Sequence, residues 1–430
     1  MANNMKDKEK LETFKISEIC DITSSKRIYQ NEYKEEGVPF YRSKEIILKH
    51  NGREIQDVLY ISKRRYEEIK NKFGVPEVGD ILLTSVGTLG IPYIVKKDDY
   101  FYFKDGNLTW FRNFSEKISN LYLYYWLLSD NAQGQIKSVK IGSSQSALTI
   151  KSLLNINIKL PEIKNQKKIA AILSAYDDLI ENNNRRIEIL EEMAETIYKE
   201  WFVHFRFPGY EKVKMVDSEL GKIPEGWEVR SILDSPYFHY INESCPKYEG
   251  AKEYLATANI EGINIIKKGE WVSYSEKPSR AQKIPKVYSV WFSKMKESYK
   301  VLGFTEENQC FANRYILSSG FDGFRTSKEF FAFLYCVIKS KYFHQKRDQY
   351  CTGAVQISLT KKGLESIKII IPSKNIILRF NEIILPMINQ IIVSQQKNNC
   401  LKNIRDLLLP KLISGTIDVS DLDIKTEEKK

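Results

Sequence analysis

The sequence predicts an α+β protein with two β-rich globular domains in tandem, separated by two long helices packed as an antiparallel coiled coil with pseudo-two-fold symmetry. Three observations predict this architecture: an internal duplication, short strand-like runs in the first part of each copy, and one long amphipathic segment at the end of each copy. With 430 residues, of which 42% are apolar, the chain can form two to four domains of roughly 100–200 residues each.

The duplication is visible in two parts of the chain. Residues 142–161 align without gaps with residues 353–372 at an offset of 211, and nine of the twenty positions are identical. The starts of the two copies correspond as well, because residues 14–19 match residues 227–232 at an offset of 213. A repeat of about 210 residues indicates that each copy forms the same structural unit.

Each copy begins with short runs rich in Tyr, Phe, Ile and Val that Gly and Pro interrupt. Residues 78–84 (VGDILLT) are one example, and residues 287–293 (VYSVWFS) are another. Such runs are typical of strands joined by turns. They predict one β-rich domain at residues 1–163 and a second at residues 207–373.

Each copy ends in one long helix, predicted at residues 164–206 and 374–415, and a charged tail follows at residues 416–430. Apolar side chains recur at threes and fours in both segments, and the second segment follows a heptad pattern. Antiparallel pairing is favoured because each helix has to return the chain to a two-fold related copy. The pattern places four leucines at the interface between the helices: Leu190, Leu401, Leu408 and Leu412.

Both predicted helices become polar halfway along, the second at residues 394–399. When two helices of equal length lie side by side their midpoints meet, so we expect Asn183 and Asn398 to face each other and fix the register by hydrogen bonding. The alternative is a loop that breaks each helix in two, because Asn has a low helix propensity. Pro386 and Pro410 predict a kink or an early end in the second helix.

The net charge of +11 lies mainly in the two β-rich segments, with +4 in residues 1–163 and +6 in residues 207–372. Two basic domains held apart by stiff helices suit a long, repetitive anion, which is duplex nucleic acid. A lysine-rich solvated face is the alternative explanation for so small an excess per domain. Because the two copies differ between their matching ends, they would read different half-sites, so the predicted DNA target is asymmetric and bipartite.

Polar, glycine-flanked loops that follow strands are the candidate base readers, because Gln can bond adenine bidentately and Ser offers a hydroxyl. Arg and Lys side chains are candidates for binding phosphate or guanine. For each single residue the alternative is an ordinary surface position. The candidate DNA-binding residues are Arg27, Arg42, Lys44, Lys140, Ser143, Ser144, Gln145, Arg280, Lys283, Lys294, Arg314, Thr352 and Gln356. Thr149 and Thr360 are equivalent in the two copies, which favours a structural turn role for both.

Several stretches resemble the specificity subunit of type I restriction-modification systems. They are residues 226–229 (GWEV), 78–84, 160–162 (LPE) followed by 166–170 (QKKIA), 198–208 (YKEWFVHFRFP) and, most specifically, 405–415 (RDLLLPKLISG). With the duplicated order they cover nearly the whole chain. The resemblance implies two target recognition domains, two conserved helices packed as an antiparallel pair, and docking of two methyltransferase subunits, with restriction subunits as further partners.

The second copy departs from the family pattern in two places. Residues 375–380 (NIILRF) stand where the first helix begins with Gln-x-x-Ile-Ala. Residues 288–291 (YSVW) stand where the first copy has Gly-Asp-Ile-Leu at residues 79–82. These departures predict that one half of the protein grips its methyltransferase less symmetrically than the other.

The sequence lacks the motifs of the enzymes with which such a protein would work. It contains neither a G-x-x-x-x-G-K-[ST] phosphate loop nor the Asn-Pro-Pro-aromatic motif of adenine methyltransferases, and its four histidines are isolated. We therefore expect a non-catalytic chain with no metal or cofactor of its own. S-adenosylmethionine, and ATP with Mg, are expected on partner subunits.

The six cysteines are scattered without a C-x-x-C pair, which predicts reduced thiols in the cytoplasm and no zinc site. The charged first ten residues lack the apolar segment of a secretory signal. The longest aliphatic-aromatic run, at residues 330–338, is far shorter than the roughly 18 residues of a membrane span, so no membrane partner is expected.

The favoured hypothesis is a sequence-specific subunit that binds a bipartite target in double-stranded DNA and docks adenine methyltransferase subunits. The alternatives are a stand-alone DNA-binding protein or anti-restriction decoy of the same fold, and a coiled-coil scaffold unrelated to DNA. Four aromatic side chains near the end of the first helix exceed what a two-helix interface can bury, so we expect a partner subunit to cover part of this cluster. They are Trp201, Phe202, Phe205 and Phe207.

Overall fold

The computed structural model describes residues 11–53, 55–140, 147–353 and 357–426. The protein is α+β and forms two compact, β-rich units. The first unit comprises Met1–Glu181 with Cys400–Lys430, and the second unit comprises Asn182–Asn399. Each unit therefore contains part of each long helix, so the division of the chain cuts across the helical segments expected from the sequence.

The first unit is built on two four-stranded sheets, ordered β2-β9-β6-β7 and β3-β5-β4-β8, and on one separate antiparallel pair, β1-β10. Its strands are β1 (Glu12–Lys15), β2 (Asp21–Thr23), β3 (Tyr33–Lys34), β4 (Val38–Tyr41), β5 (Leu59–Ile61), β6 (Ile81–Thr84), β7 (Pro92–Ile94), β8 (Tyr102–Phe103), β9 (Leu108–Arg112) and β10 (Asn157–Leu160). Its helices are α1 (Ser43–His50), α2 (Lys63–Phe73), α3 (Asn120–Leu128), α4 (Asp130–Ser138), α5 (Ile150–Leu154) and the start of α6 (Ile163–Phe202).

The second unit repeats this plan with sheets ordered β14-β23-β20-β21 and β18-β15-β22-β19 and the pair β13-β26, and it also contains the two-stranded pairs β11-β12, β16-β17 and β24-β25. Its strands are β11 (Met215–Ser218), β12 (Gly221–Pro224), β13 (Glu228–Ser231), β14 (Phe238–Tyr240), β15 (Ala251–Leu255), β16 (Ile260–Glu261), β17 (Asn264–Ile265), β18 (Glu270–Ser273), β19 (Ala281–Lys283), β20 (Ser289–Ser293), β21 (Val301–Phe304), β22 (Tyr315–Ser318), β23 (Phe321–Thr326), β24 (Cys351–Thr352), β25 (Ser358–Leu359) and β26 (Lys368–Ile371). Its helices are α7 (Gln309–Arg314), α8 (Phe331–Lys339), α9 (Lys341–Gln349), α10 (Lys361–Glu365) and the start of α11 (Lys374–Ile413).

The duplication predicted from the sequence appears in the structure as the same strand pairing in both units. In the first unit Phe14 of β1 lies opposite Ile158 of β10, and in the second unit Val229 of β13 lies opposite Ile370 of β26. Each such pair joins the beginning of a copy to the strand just before its long helix. The start and the end of each β-rich segment are thereby held together by backbone hydrogen bonds.

The two long helices are unbroken. Both α6 and α11 run for 40 residues, so the alternative in which a polar loop breaks each of them is wrong. Pro386 and Pro410 lie inside α11, which continues past both to Ile413, so neither proline ends the helix early.

Helix α11 is also the one helix in the described part of the chain that is long and apolar enough to cross a membrane, judged by length and composition alone. In the structure, apolar residues of this helix pack into a hydrophobic core. Ile384 and Ile388 are 0% and 1% exposed and belong to the hydrophobic core of the second unit. The sequence contains no long uninterrupted apolar run here, because Arg379, Glu382 and several uncharged polar residues interrupt it.

The tail after α11 packs against the first unit. Val419 is 1% exposed in the same core cluster as Leu173 of α6. The buried amine of Lys168 donates hydrogen bonds to the carbonyl oxygens of Val419 at 3.2 Å and Ser420 at 2.6 Å. The described part of the charged tail is therefore an integral part of the first unit.

Candidate nucleic-acid interface

The helix pair carries a polar contact at its midpoint. In the second unit Asn183 Nδ2 donates to Asn398 Oδ1 at 2.9 Å, and Asn398 Nδ2 donates to Asn184 Oδ1 at 2.7 Å. Farther along, the ring of Trp201 contacts that of Phe380 at 5.7 Å between centroids. Residue numbers rise on one helix as they fall on the other, so the pairing is antiparallel, and the predicted contact between Asn183 and Asn398 is confirmed.

Two glutamines at the α11 midpoint, Gln395 and Gln396, form hydrogen bonds with loops of the second unit. Gln395 Nε2 donates to Ile263 O at 3.1 Å and to Asn264 Oδ1 at 3.0 Å, beside the hairpin of β16 and β17. Gln396 Nε2 donates to Glu307 O at 2.9 Å. The polar run of α11 thus fixes this helix to two loops of the second unit, a role that the heptad pattern did not suggest.

In the first unit the two helices are joined by an ion pair. Arg405 Nη1 lies 2.5 Å from Asp177 Oδ1, and Tyr125 donates its hydroxyl to Asp177 Oδ2 at 2.6 Å. The neighbouring carboxylate raises the pKa of Arg405 above its usual value, although burial acts in the opposite direction. The predicted interface leucines are buried or half-buried: Leu412 is 2% exposed, and Leu190, Leu401 and Leu408 are half-buried.

The asparagine contact leads to a testable prediction about stability. Replacing Asn398 by Ala leaves the amide of Asn183 and the carbonyl oxygen of Asn184 without their partners, so we expect the free energy of unfolding to fall by about 1–3 kcal/mol. Denaturant unfolding measures the change. The adjacent, exposed Asn399 provides the matched control, because Asn399→Ala should stay within about 0.5 kcal/mol of the wild type. Equal effects of the two substitutions would contradict the assignment.

The aromatic cluster at the end of α6 requires a correction. Trp201, Phe202 and Phe207 are 8%, 6% and 3% exposed, and all belong to the core of the second unit. Their rings pack on Trp227, Phe333 and Phe380 of the same unit. The expectation that a partner subunit covers part of the cluster is wrong for Trp201, Phe202 and Phe207, because the β-rich part of the second unit packs on the helix and buries them. Phe205 is half-buried against the same core.

The two threonines that favoured a structural role are helix caps. Thr149 Oγ1 accepts a hydrogen bond from Ser152 N at 3.1 Å at the start of α5. Thr360 Oγ1 accepts one from Gly363 N at 3.1 Å at the start of α10. Both satisfy amide groups that the first turn of a helix leaves without partners, so the structural interpretation is confirmed.

The predicted base readers lie in the two chain segments that precede these caps. Lys140 is exposed after α4, and Thr352 is exposed in β24. The other four predicted readers lie outside the described residues: Ser143, Ser144, Gln145 and Gln356.

Six of the eight predicted cationic residues fall into two groups. Lys44, Lys140 and Arg280 are exposed. Three arginines instead form ion pairs within their own unit: Arg27 with Asp105 at 2.9 Å, Arg42 with Glu45 at 2.7 Å, and Arg314 with Glu253 at 2.5 Å. The paired arginines stay partly exposed, so their remaining N–H groups are available to an anion.

Lys283 requires a correction as a candidate. Its side chain is only 14% exposed and its amine lies 3.5 Å from Asp322, a carboxylate that is itself 4% exposed. Burial raises the pKa of Asp322, whereas the positive charges of Lys294 and Lys283 oppose that increase. The two lysines thus compensate a buried carboxylate of the second unit, and Lys283 is not free at the surface to meet DNA. Lys294 is half-buried at the same site.

A cationic pocket in the first unit was not predicted from the sequence. This pocket, called the Lys26 pocket below, has a volume of about 180 Å³. It lies beside the ends of β2, β9 and α2, and the lining residues include Thr23, Lys26, Phe73, Gly74, Trp110 and Arg112. Lys26 Nζ lies 4.4 Å from the centroid of the Phe73 ring, which is 49% exposed. The pocket combines positive charge with aromatic surface.

The VGDILLT stretch of the sequence positions this pocket. Asp80 Oδ2 accepts hydrogen bonds from Trp110 Nε1 at 2.7 Å and from Glu77 N at 2.9 Å. Arg112 stacks on the indole of Trp110, with its guanidinium carbon 4.2 Å from the ring centroid. Burial raises the pKa of Asp80, and the nearby Arg112 partly offsets this effect. The sequence motif contains Asp80, but the hydrogen-bond partner of this residue is Trp110 of β9, which lies 30 residues later in the chain.

The second unit keeps the same contact with exchanged residues. Ser289 stands at the position of Asp80 and accepts a hydrogen bond from Trp291 Nε1 at 2.9 Å. This indole belongs to β20, where the first unit has Leu82, and it lies opposite Gly323, where the first unit has Trp110. A Cβ atom at Gly323 would come within 2.5 Å of Trp291. Each unit thus buries one indole at the same place, but the indole comes from β9 in the first unit and from β20, the counterpart of β6, in the second.

The described residues contain no group of three or more His, Cys, Asp or Glu side chains that could hold a metal ion. Both β-rich units present exposed cations, aromatic side chains and hydroxyl groups, which are groups that can bind a ligand.

Comparison with known proteins identifies relatives of this arrangement. Residues 8–192 match the type I restriction modification DNA specificity domain. The chain is 30% identical over 308 residues to the putative type I restriction enzyme MjaX specificity subunit of Methanocaldococcus jannaschii, covering 69% of this chain and 68% of the relative. It is 29% identical over 359 residues to the type I restriction enzyme MjaIX specificity subunit of the same organism, covering 80% of this chain and 79% of the relative.

A solved structure with the same fold is similar to this chain over nearly its whole length. The S subunit of a type I restriction-modification system from M. genitalium superposes with a TM-score of 0.60 at 15% identity, covering 95% of this chain and 97% of that chain. The common architecture thus extends over both units although few residues are shared.

Proposed function

Because this chain belongs to the family of type I restriction enzyme specificity subunits, we propose that it recognises an asymmetric, bipartite DNA sequence and docks partner adenine methyltransferase subunits onto it. As a member of that family it is a DNA sequence-recognition subunit and is non-catalytic. In the proposal each β-rich unit reads one half of the target, and the methylation chemistry belongs to the partners.

The observation that carries the proposal is that the two units share the same internal structure but differ in their exposed cationic residues. Both units keep the β1-β10 or β13-β26 pair, the threonine cap and one buried indole. Their surface cations differ, as Lys44 and Lys140 in the first unit and Arg280 in the second illustrate. Two copies of one reader that differ in their contact residues suit a target with two unlike halves.

The partners would supply the reactive groups. An exocyclic amine of adenine is not accessible inside the duplex, so each methyltransferase subunit would flip its adenine out of the stack. S-adenosylmethionine would be bound by those subunits, and ATP with Mg by restriction subunits where these join the complex. The role of this chain is to fix where on the DNA the methyltransferases act.

Exposed apolar side chains on the long helices support the docking part of the proposal. Leu179 and Leu407 are 51% and 66% exposed in the first unit, and Ile189 and Met193 are 48% and 44% exposed in the second. Large apolar side chains left exposed on a helix are available for burial by a partner protein, and contiguous patches of them mark interaction sites. We propose that methyltransferase subunits cover these positions.

Co-expression with the methyltransferase, followed by sequencing of methylated DNA, tests the proposed function. We expect one gapped, asymmetric motif with a methylated adenine in each half. A stable complex that methylates no new motif would contradict the proposal, and tight binding without a partner to all sequences equally would favour a stand-alone DNA-binding protein.

Single substitutions then show which unit reads which half of the DNA motif. If Lys140 reads bases, Lys140→Ala relaxes the motif in one half and Arg280→Ala relaxes it in the other, because the two residues belong to different units. Changes in both halves from either substitution alone would contradict the division of labour between the units.

A further inference from the structure

The Lys26 pocket is cationic, and none of its lining residues in the described part of the chain is a carboxylate. Lys26 is exposed, and its ammonium group is held over the ring of Phe73 at 4.4 Å. The hydroxyl group of Thr23 belongs to the same lining. A ligand in this pocket would therefore meet hydrogen-bond donors with positive charge and one exposed aromatic face.

Arg112, the second cation of the pocket, is held in place by packing, and one of its N–H donors has no partner among the described residues. The guanidinium of Arg112 lies flat on the indole of Trp110, and Nη1 makes a long contact of 3.5 Å to Phe73 O. Its Nε atom is buried and has no hydrogen-bond partner among the described residues. Gly74 leaves room for the group, since a Cβ atom there would come within 3.1 Å of Nη1. The pocket is thus preorganised around Arg112.

The second unit does not repeat this pocket. Phe111 lies opposite Ile81 and Phe324 lies opposite Val290, so Arg325 takes the place of Arg112. The Nη1 atom of Arg325 lies 3.9 Å from the carboxylate of Glu243, which also pairs with Lys286. Glu243 thus already supplies the anion beside Arg325 and Lys286, so among the described residues an open anion site at this position is found in the first unit and not in the second.

We propose that the Lys26 pocket binds one phosphate of the DNA backbone beside the half-site read by the first unit, an inference that rests on the proposed function. A phosphate oxygen accepts charge-assisted hydrogen bonds from an ammonium and a guanidinium, and it needs no acceptor from the protein. The lining has no amide or carboxylate group for a bidentate contact with adenine or for accepting from the amino group of cytosine. Guanine, which Arg and Lys also bind, is the alternative that the methylated motif tests. The phosphate contact sets the register of the first unit on the duplex and carries no sequence information.

Salt-dependent DNA binding by the full-length chain, purified with its co-expressed methyltransferase, tests the inference. The probes are a duplex that contains the methylated motif and a duplex of the same length without it. We expect Lys26→Ala to weaken binding to both duplexes by about tenfold and to lower the slope of log K against log salt by about 0.9, the value for one phosphate contact. The methylated motif should stay unchanged.

Two further variants separate the pocket from general charge. Lys26→Arg keeps a cationic donor and should retain the affinity and the salt slope. Lys97→Ala removes the same charge from an exposed position of the first unit outside the pocket and should change the affinity less than twofold. Because the Lys26 ammonium is exposed, its replacement leaves the core intact, and circular dichroism of each variant verifies this.

Three results would overturn the inference. Unchanged affinity and salt slope in Lys26→Ala, while the wild type binds DNA in a salt-dependent way, would remove the phosphate site and leave the proposed function standing. A changed motif would make Lys26 a base reader. Absence of salt-dependent binding by the wild-type complex would overturn the proposed function as well.

Discussion

Replacing Phe202 by Ala is expected to lower the free energy of unfolding of the isolated chain by about 3–5 kcal/mol. The side chain is 6% exposed in the core of the second unit. Its ring packs on three others, with centroid distances of 5.9 Å to Trp227, 5.1 Å to Phe333 and 4.8 Å to Phe380. Truncation leaves a cavity that the surrounding rings fill only in part, so the loss exceeds the transfer free energy of the removed atoms.

Denaturant unfolding of the chain without any partner decides where this side chain is buried. Met193→Ala, on the same helix but at a position that is 44% exposed, is the control and should change the free energy of unfolding by no more than about 0.5 kcal/mol. If Phe202 were covered by a partner subunit, its replacement would leave the isolated chain unchanged and weaken only the complex. That result would restore the interpretation that the structure corrects.

The second large effect concerns pH and depends on His344. This histidine is 7% exposed on α9, and its Nδ1 atom has no hydrogen-bond partner among the described residues. Burial lowers its pKa to about 4, and the positive charge of Arg347 acts in the same direction, whereas Asp348 opposes it. The ring of Tyr299 also faces it at 5.1 Å. The folded protein therefore holds this histidine in its neutral form.

The direction of the pH effect follows from this difference. The unfolded chain binds a proton at His344 near its ordinary pKa of about 6.5, whereas the folded chain does so only near 4. Stability that is present above about pH 6.5 is therefore lost as the pH falls toward 4. At about 1.4 kcal/mol per pKa unit, the total loss is about 3 kcal/mol, of which about 2 kcal/mol appears by about pH 5.

Urea unfolding at several pH values measures this dependence as a difference between variants. The difference in stability between the wild type and His344→Leu should shift by about 2 kcal/mol in favour of the variant between about pH 7.5 and about pH 5. His239→Leu replaces an exposed histidine of the same unit and is the control. Parallel pH profiles for the wild type and His344→Leu would refute the assignment.

Features that depend on residues close together in the chain could be predicted from the sequence. The threonine caps follow from side-chain and backbone groups three residues apart, and the long helices follow from a local period of apolar residues. The contact of Asn183 with Asn398 followed from the equal lengths of the two helices. In each case, local geometry or symmetry left few alternatives.

Features that depend on partners far along the chain could not be predicted. A basic residue looks the same in a sequence whether it faces solvent, as Lys44 does, or compensates a buried carboxylate, as Lys283 does. Asp80 was recognised as part of a motif, but the stack of Trp110 and Arg112 that it supports required the register of β6 on β9.

The sequence by itself determined that this protein is a duplicated α+β chain with two long helices and two basic, β-rich halves, because repetition and periodicity are recorded in residue order. Only the tertiary structure decided which side chains remain available for a ligand or a partner. It buried the Trp201 and Phe202 cluster within the second unit and paired Lys283 with Asp322, and it left the Lys26 pocket open. The physical reason is that burial and ion pairing depend on contacts between distant segments, and these contacts follow from sheet register and packing.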